Sequence, residues 1–118
     1  MKAILRTGFL ALAITVVWQG PWAAETVVVK YRGPVDLAPF ECHDITRSSF
    51  IKRVCYDAAK AYMIIRLKAT YYHYCEIDSA AVEGLHSAPS MGRFFNANIK
   101  GNGSDGQFDC RTHRVPGY

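Results

Sequence analysis

The sequence lacks the patterns that usually mark a catalytic or metal centre. It contains no glycine-rich phosphate loop, no Ser-His-Asp order, and no pair of carboxylates spaced for acid–base work. No C-x-x-C pair is present to begin a zinc site, and His43, His86 and His113 are scattered along the chain. We therefore expect no enzyme activity, no cofactor and no metal.

A hydrophobic run long enough to span a membrane is also missing. Phe9 to Trp18 is apolar and uncharged, but a membrane helix needs roughly 20 residues. Positive charges at Lys2 and Arg6 precede this run and small residues follow it, which is the order of a secretory signal peptide. We expect residues 1–24 to be a signal peptide cleaved after Ala24, with a membrane anchor as the weaker alternative.

Cysteines are absent from residues 1–24, and all four lie in the remainder of the chain. The four are Cys42, Cys55, Cys75 and Cys110. An even number of cysteines in a short exported chain indicates two disulfides, so we expect a periplasmic or secreted protein.

The chain has little net charge once residues 1–24 are set aside. The whole chain has a formal charge of +4, and two of its basic residues but no acidic residue lie in that segment. The remaining chain therefore carries +2, which is too little to indicate nucleic-acid binding from charge alone.

The rest of the sequence predicts one α+β domain over residues 25–100. A β-branched run from Thr26 to Arg32 ends at a Gly-Pro turn and predicts an N-terminal strand, after which residues 35–40 can continue extended. Residues 50–56, 62–67 and 71–77 predict a three-stranded antiparallel meander. The polar stretch 43–48 is typical of a loop.

Two short helices are predicted after the meander. Asp78 or Ser79 can cap the first, which carries Val82 and Leu85, and Ser90 can cap the second. We expect these helices to cover one face of the antiparallel sheet. Residues 101–118 then form a flexible loop and a tail that leaves the domain, pinned to it at Cys110.

The predicted strand order restricts the disulfides. If residues 62–67 form the middle strand, Cys55 and Cys75 lie about 9.5 Å apart, beyond the reach of a disulfide. Two pairings remain: Cys42–Cys55 with Cys75–Cys110, or Cys42–Cys75 with Cys55–Cys110. We favour the first, because the Cys42–Cys55 loop is short.

Several spaced motifs resemble the KTSC domain family, named after a segment at the C-terminus of some lysyl-tRNA synthetases. They are Val29-x-Tyr31-x-Gly33, Val35-Asp36-Leu37, Ser48-Ser49-x-Ile51, Tyr56-Asp57, Tyr72-His73-Tyr74 and Ser90-x-Gly92-x-Phe94-Phe95-Asn96-x-x-Ile99. The chain departs from the family at Phe94, Asp78 and Ala69, where tyrosine, proline and glycine are usual. The resemblance implies RNA binding as a suggested activity, which export from the cytoplasm disfavours.

Four residues are our binding candidates. Tyr72 and Tyr74 lie two apart on one strand and share a face, where aromatic rings can stack on a ligand or pack against the core. Arg93 and Asn96 lie on the second helix. We expect a binding module for a protein or cell-envelope partner, with single-stranded nucleic acid as the alternative and an enzyme using His73 and Cys75 as the least favoured.

Overall fold

The computed structural model describes residues 25–101 and 106–118. The expected signal peptide, residues 1–24, lies outside the described residues, as does the middle of the expected loop, residues 102–105.

Six strands form one mixed sheet that is followed by a short helical region. The strands are β1 (Thr26–Val29), β2 (Gly33–Asp36), β3 (Glu41–Asp44), β4 (Ile51–Asp57), β5 (Tyr62–Leu67) and β6 (Thr70–Cys75). The helices are α1 (Ser79–Ser87) and α2 (Met91–Phe94), and α2 continues directly into a π-helical turn at Phe95–Lys100. The strand order is β2-β1-β6-β5-β4-β3.

The predicted meander is confirmed, with β5 hydrogen-bonded between β4 and β6. Asp57 closes β4 because its carboxylate accepts the backbone N–H groups of Ala59 and Lys60. At the next turn Lys68 takes a positive φ of 55°, which replaces the Gly or Asn usual there.

The prediction of a four-stranded antiparallel sheet is wrong in size, because the sheet has six strands and two of them were not predicted. Gly33–Asp36 pairs back on β1 as β2, and Glu41–Asp44, expected to be mostly loop, pairs with β4 as β3. The sheet is also mixed, since β1 runs parallel to β6 where Val29 meets Tyr71. Strand β3 was not predicted because its sequence is polar. It is an edge strand whose side chains are largely exposed.

Both helix caps are confirmed. The Asp78 carboxylate accepts the Ala81 N–H at 3.0 Å, and the Ser90 hydroxyl accepts the Arg93 N–H at 3.3 Å. The helices cover one face of the sheet as expected, with Val82 and Leu85 of α1 in the core.

The other face of the sheet is covered as well, whereas the sequence predicted a cover on one face only. Met63 and Ile65 of β5 pack under the helices, whereas Tyr62 and Ile64 pack on the opposite side. That second core contains residues of the β1–β2 hairpin, so the sheet curls back over itself. A continuous apolar strand buried on both faces is the physical signature of this arrangement.

The disulfides follow the favoured pairing, Cys42–Cys55 and Cys75–Cys110. Cys42 and Cys55 lie directly opposite each other on β3 and β4, with a Cα–Cα distance of 4.0 Å. Each disulfide contributes roughly 2 to 4 kcal/mol to a domain of this size.

The C-terminal tail lies against the domain instead of leaving it. The Tyr118 hydroxyl donates to Asp57 Oδ2 at 2.7 Å, and the Gly117 carbonyl accepts from Lys60 Nζ at 2.8 Å. His113 Nδ1 lies 2.7 Å from a Glu76 carboxylate oxygen. Within residues 25–101 and 106–118, no helix is long and apolar enough to cross a membrane.

Candidate functional site

The backbone of β6 has an open gap on the edge that faces away from β5. At one end of the gap the Tyr71 carbonyl accepts the Lys30 N–H at 2.8 Å, and at the other the Cys75 N–H donates to the Phe108 carbonyl at 2.8 Å. Backbone groups point to alternate sides along an antiparallel strand, so the N–H and C=O of His73 also face this edge. Neither group has a backbone partner among the described residues.

A groove of about 670 Å³ runs along this gap. The chain after β1 and the segment 106–115 form its two ends, and the π-helical turn forms one side. The side chains that matter for ligand contact are Tyr31, Tyr72, Tyr74, Ile99, Lys100 and Arg111. The groove therefore combines free backbone groups, aromatic rings and two cations.

Tyr31 is the most exposed aromatic residue of the groove, with 86% of its surface accessible. Its φ of 71° lies in the left-handed region, which costs a non-glycine residue of order 1–3 kcal/mol and is often found at ligand-binding positions. The Lys30 ammonium lies 5.2 Å from the centroid of the Tyr31 ring and 5.7 Å from that of Tyr72. A third cation thus lies beside the two rings.

The two strand tyrosines differ in what they can offer a ligand. Tyr74 meets Phe95 edge to face at a centroid distance of 5.6 Å, and burial raises its pKa to about 12. Both rings pack against the core under the helices and are half-buried where they line the groove. Aromatic packing under the helices, the alternative to ligand stacking, is therefore present for both tyrosines. Only Tyr74 also has an edge-to-face contact with Phe95, so we take Tyr31 and Tyr72 as the rings for ligand contact.

Arg93 and Asn96 lie outside the groove. Both are exposed, Arg93 on α2 and Asn96 on the π-helical turn, and neither lines the cavity that Tyr72 and Tyr74 share. The structure therefore does not bring the four predicted residues together.

Three cationic or aromatic residues of the site were not predicted: Tyr31, Lys100 and Arg111. Tyr31 had a signal in the sequence, because it stands two residues before Gly33 of the Gly-Pro turn and belongs to the Val29-x-Tyr31-x-Gly33 motif. It was not singled out as a binding residue. Lys100 and Arg111 carried no such signal. Lys100 reaches the groove at the end of the π-helical turn, and Arg111 follows Cys110, which is joined to Cys75 of β6.

His73 lies on the opposite face of β6 from Tyr72 and Tyr74. Its Nδ1 lies 2.7 Å from the Tyr62 hydroxyl, which also accepts from Arg32 at 3.3 Å. Burial, together with the positive charge of Arg32, lowers the pKa of His73. Both effects favour the neutral imidazole over the charged form.

Electrostatically the groove has a positive excess. The Arg111 guanidinium donates to Asp109, with its shortest contact at 2.6 Å, and this hydrogen bond holds the pKa of the Asp109 carboxyl below its usual range. The pair is neutral in sum, which leaves Lys100 and the neighbouring Lys30 as net positive charge. The groove therefore carries a net positive charge.

One group of metal-ligating side chains lies at the same place. His73, Cys75 and Cys110 bring a ring nitrogen and two sulfurs within 4.8 Å of one another. No cysteine of the chain is free, so both sulfurs are in the disulfide. The Cys75 thiol that a Cys–His nucleophile would need is thereby occupied.

These features define a small, disulfide-linked α+β domain with an open strand edge. Comparison with known proteins identifies the family to which this domain belongs. The family model of the KTSC domain matches residues 47–102. A crystal structure of a KTSC domain protein from Yersinia pestis is 30% identical, with a TM-score of 0.50, and the match covers 53% of this chain and 89% of that chain. No curated protein matches. The chain belongs to the KTSC domain family.

Proposed function

We propose that this protein is an exported, non-enzymatic binding module that takes a short acidic segment of a partner protein in the groove along β6. The carrying observation is the gap in the β6 edge, where the His73 N–H and C=O face a groove without a backbone partner among the described residues. A peptide that adds to an exposed strand edge forms this kind of main-chain hydrogen bond.

The gap determines the size of the segment. From Tyr71 to Cys75 the strand extends about 13 Å, at about 3.3 Å per residue, which accommodates two or three residues of an extended peptide. Side chains of such a peptide alternate in direction, so one set would meet Tyr31 and Tyr72 while the termini approach Lys30 and Lys100. The cations favour glutamate or aspartate over lysine in the bound segment.

Export is part of the proposal. The two disulfides are compatible with an oxidising compartment outside the cytoplasm, and the N-terminal sequence supports a signal peptide. Single-stranded RNA is the competing ligand, because exposed tyrosines can stack on bases. It is less well supported, since Tyr74 is packed by Phe95 and the chain after residue 24 has a formal charge of only +2.

The test is a titration of the purified protein with two probes, an acetylated Glu-Val-Glu-Val-Glu peptide and the matched lysine peptide. We expect the acidic peptide to bind and added salt to weaken it. Lys100→Glu should reduce its affinity about tenfold, because a charge-assisted contact contributes about 1.5 kcal/mol. The matched control is Lys52→Glu on β4, which makes the same charge change away from the groove.

The backbone role of His73 needs a separate pair of variants. Pro is tolerated where its missing N–H would face outward from an edge, so His73→Pro should fold but lose peptide binding, whereas His73→Ala should keep it. Equal binding by the acidic and lysine peptides would contradict the proposal. Tighter binding of an oligouridine probe than of the acidic peptide would replace it with the RNA hypothesis.

A further inference from the structure

We propose that His73, Cys75 and Cys110 form a zinc site when the Cys75–Cys110 disulfide is reduced. Their ligand atoms lie within 4.8 Å of one another, and the part of the chain that the structure describes contains no other such group of three. The proposal is independent of peptide binding, because it concerns the reduced form of the protein.

The backbone holds the three residues together without relying on the disulfide alone. His73 and Cys75 are two apart on β6, so their side chains share a face. Cys110 is carried there by the preceding residues, since the Phe108 carbonyl accepts the Cys75 N–H at 2.8 Å. Phe108 is itself buried in the core under the helices, which anchors this segment after reduction.

The dimensions suit a tetrahedral zinc ion. Zinc binds thiolate at about 2.3 Å and imidazole nitrogen at about 2.0 Å, so ligand atoms lie about 3.3 to 3.8 Å apart. The Cα atoms of Cys75 and Cys110 are 4.9 Å apart, so side-chain rotation can separate the two sulfurs to that distance. Two cysteines and one histidine leave the fourth position for water or a ligand, and His73 and Cys110 line the groove.

A hydrogen bond with a protein group orients the His73 ring, as is usual for metal-ligating histidines. Such residues usually have their second ring nitrogen hydrogen-bonded to a protein group, which fixes the ring orientation. In His73 the hydrogen-bonded nitrogen is Nδ1, which lies 2.7 Å from the Tyr62 hydroxyl. We therefore assign Nε2 as the nitrogen that binds the metal. Arg32 in turn donates to the Tyr62 hydroxyl at 3.3 Å.

The chemistry requires a reductant, for which we name a dithiol. It transfers two electrons and two protons to the Cys75–Cys110 bond and becomes a disulfide, while the two cysteines become thiols. Zinc binding then displaces one proton from each thiol, and two thiolates balance the double positive charge. The oxidised protein has no thiolate at this place and is not expected to bind zinc.

The second disulfide provides an internal control. Cys42 and Cys55 are also close, and His43 follows Cys42 directly, but these residues do not form a three-ligand group in the described part of the chain. A reduced chain should therefore bind one zinc ion and not two.

The experiment uses the full chain, reduced anaerobically with a phosphine and then freed of the reductant. The phosphine takes the oxygen of one water molecule and becomes a phosphine oxide, and the two protons of that water go to the two thiols. Zinc is titrated against a chromophoric chelator, and far-UV circular dichroism follows the fold. We expect one zinc per reduced chain, none in the oxidised chain, and thiolate-to-metal charge-transfer absorption when Co²⁺ replaces zinc. His73→Ala should weaken zinc binding at least tenfold, and His43→Ala should leave it unchanged.

Double variants identify the cysteines. The Cys42→Ser/Cys55→Ser protein should bind zinc after reduction like the parent, and the Cys75→Ser/Cys110→Ser protein should not. The proposal is overturned by a reduced chain that binds no zinc, by unchanged binding in His73→Ala, or by binding in the Cys75→Ser/Cys110→Ser protein. A reduced chain that unfolds and stays unfolded with zinc also overturns it.

Discussion

Removing Tyr118 measures how firmly the C-terminal tail is attached to the domain. Its hydroxyl donates to Asp57 at 2.7 Å, and Asp57 is a buried carboxylate at the end of β4. Its ring lies 5.0 Å from that of Phe40 and 5.6 Å from that of Tyr62, with Lys60 Nζ 4.2 Å from its centroid. These contacts join the tail to strand and turn residues far from it in sequence.

The magnitudes follow from these contacts. A hydrogen bond to a charged group contributes about 1.5 to 3 kcal/mol, and Tyr118 is 42% exposed, so water replaces part of it. We expect Tyr118→Phe to lower the free energy of unfolding by about 1.5 kcal/mol. Tyr118→Ala also loses aromatic and cation–π contacts of about 0.5 to 1.5 kcal/mol each, for a total of about 3 kcal/mol.

Urea unfolding at pH 7, followed by circular dichroism, measures both variants. Tyr31→Phe is the control, because Tyr31 is 86% exposed and the change removes the same hydroxyl group at a position open to water. That variant should unfold at the same urea concentration as the parent. If both Tyr118 variants also stay within about 0.5 kcal/mol of the parent, the tail does not contribute to the fold as described.

Three further predictions concern strain, pH and packing. Tyr31→Asn should raise the free energy of unfolding by up to about 1 kcal/mol, because Asn tolerates positive φ better than Tyr. The same variant should weaken peptide binding. A lower free energy of unfolding would contradict the stability prediction. Burial and the neighbouring His43 lower the pKa of His86, so stability that is present above pH 6.5 should fall as the pH drops below 6.5. His86→Gln should flatten this fall in urea titrations. Gly84→Ala places a Cβ 2.6 Å from the Phe94 ring and should cost about 1 to 3 kcal/mol by thermal unfolding. An unchanged melting temperature would contradict this prediction.

Local sequence patterns predicted the central strands and both helix caps because these depend on near neighbours. Strands β4 to β6 are apolar and consecutive, and Asp78 and Ser90 cap helices a few residues away. The middle position of β5 then excluded one disulfide pairing by distance alone. These features required no knowledge of how distant segments meet.

The remaining features depend on contacts between distant segments. Strand β3 is polar and pairs because Cys42 lies opposite Cys55, and the parallel contact of Val29 with Tyr71 joins the first strand to the last. The groove needs Tyr31, Lys100 and Arg111 together, which come from three separate parts of the chain. His73 and Cys75 did have a local signal, their shared strand face, but Cys110 completes the cluster only in three dimensions.

Hydrogen exchange at the His73 amide tests the central claim most directly, because the claim is that a ligand segment bonds to this edge of β6. The Tyr72 N–H points towards β5 and serves as the internal reference. With saturating Glu-Val-Glu-Val-Glu peptide, exchange at His73 should slow at least tenfold while exchange at Tyr72 stays the same. Peptide binding with unchanged exchange at His73 would contradict the account.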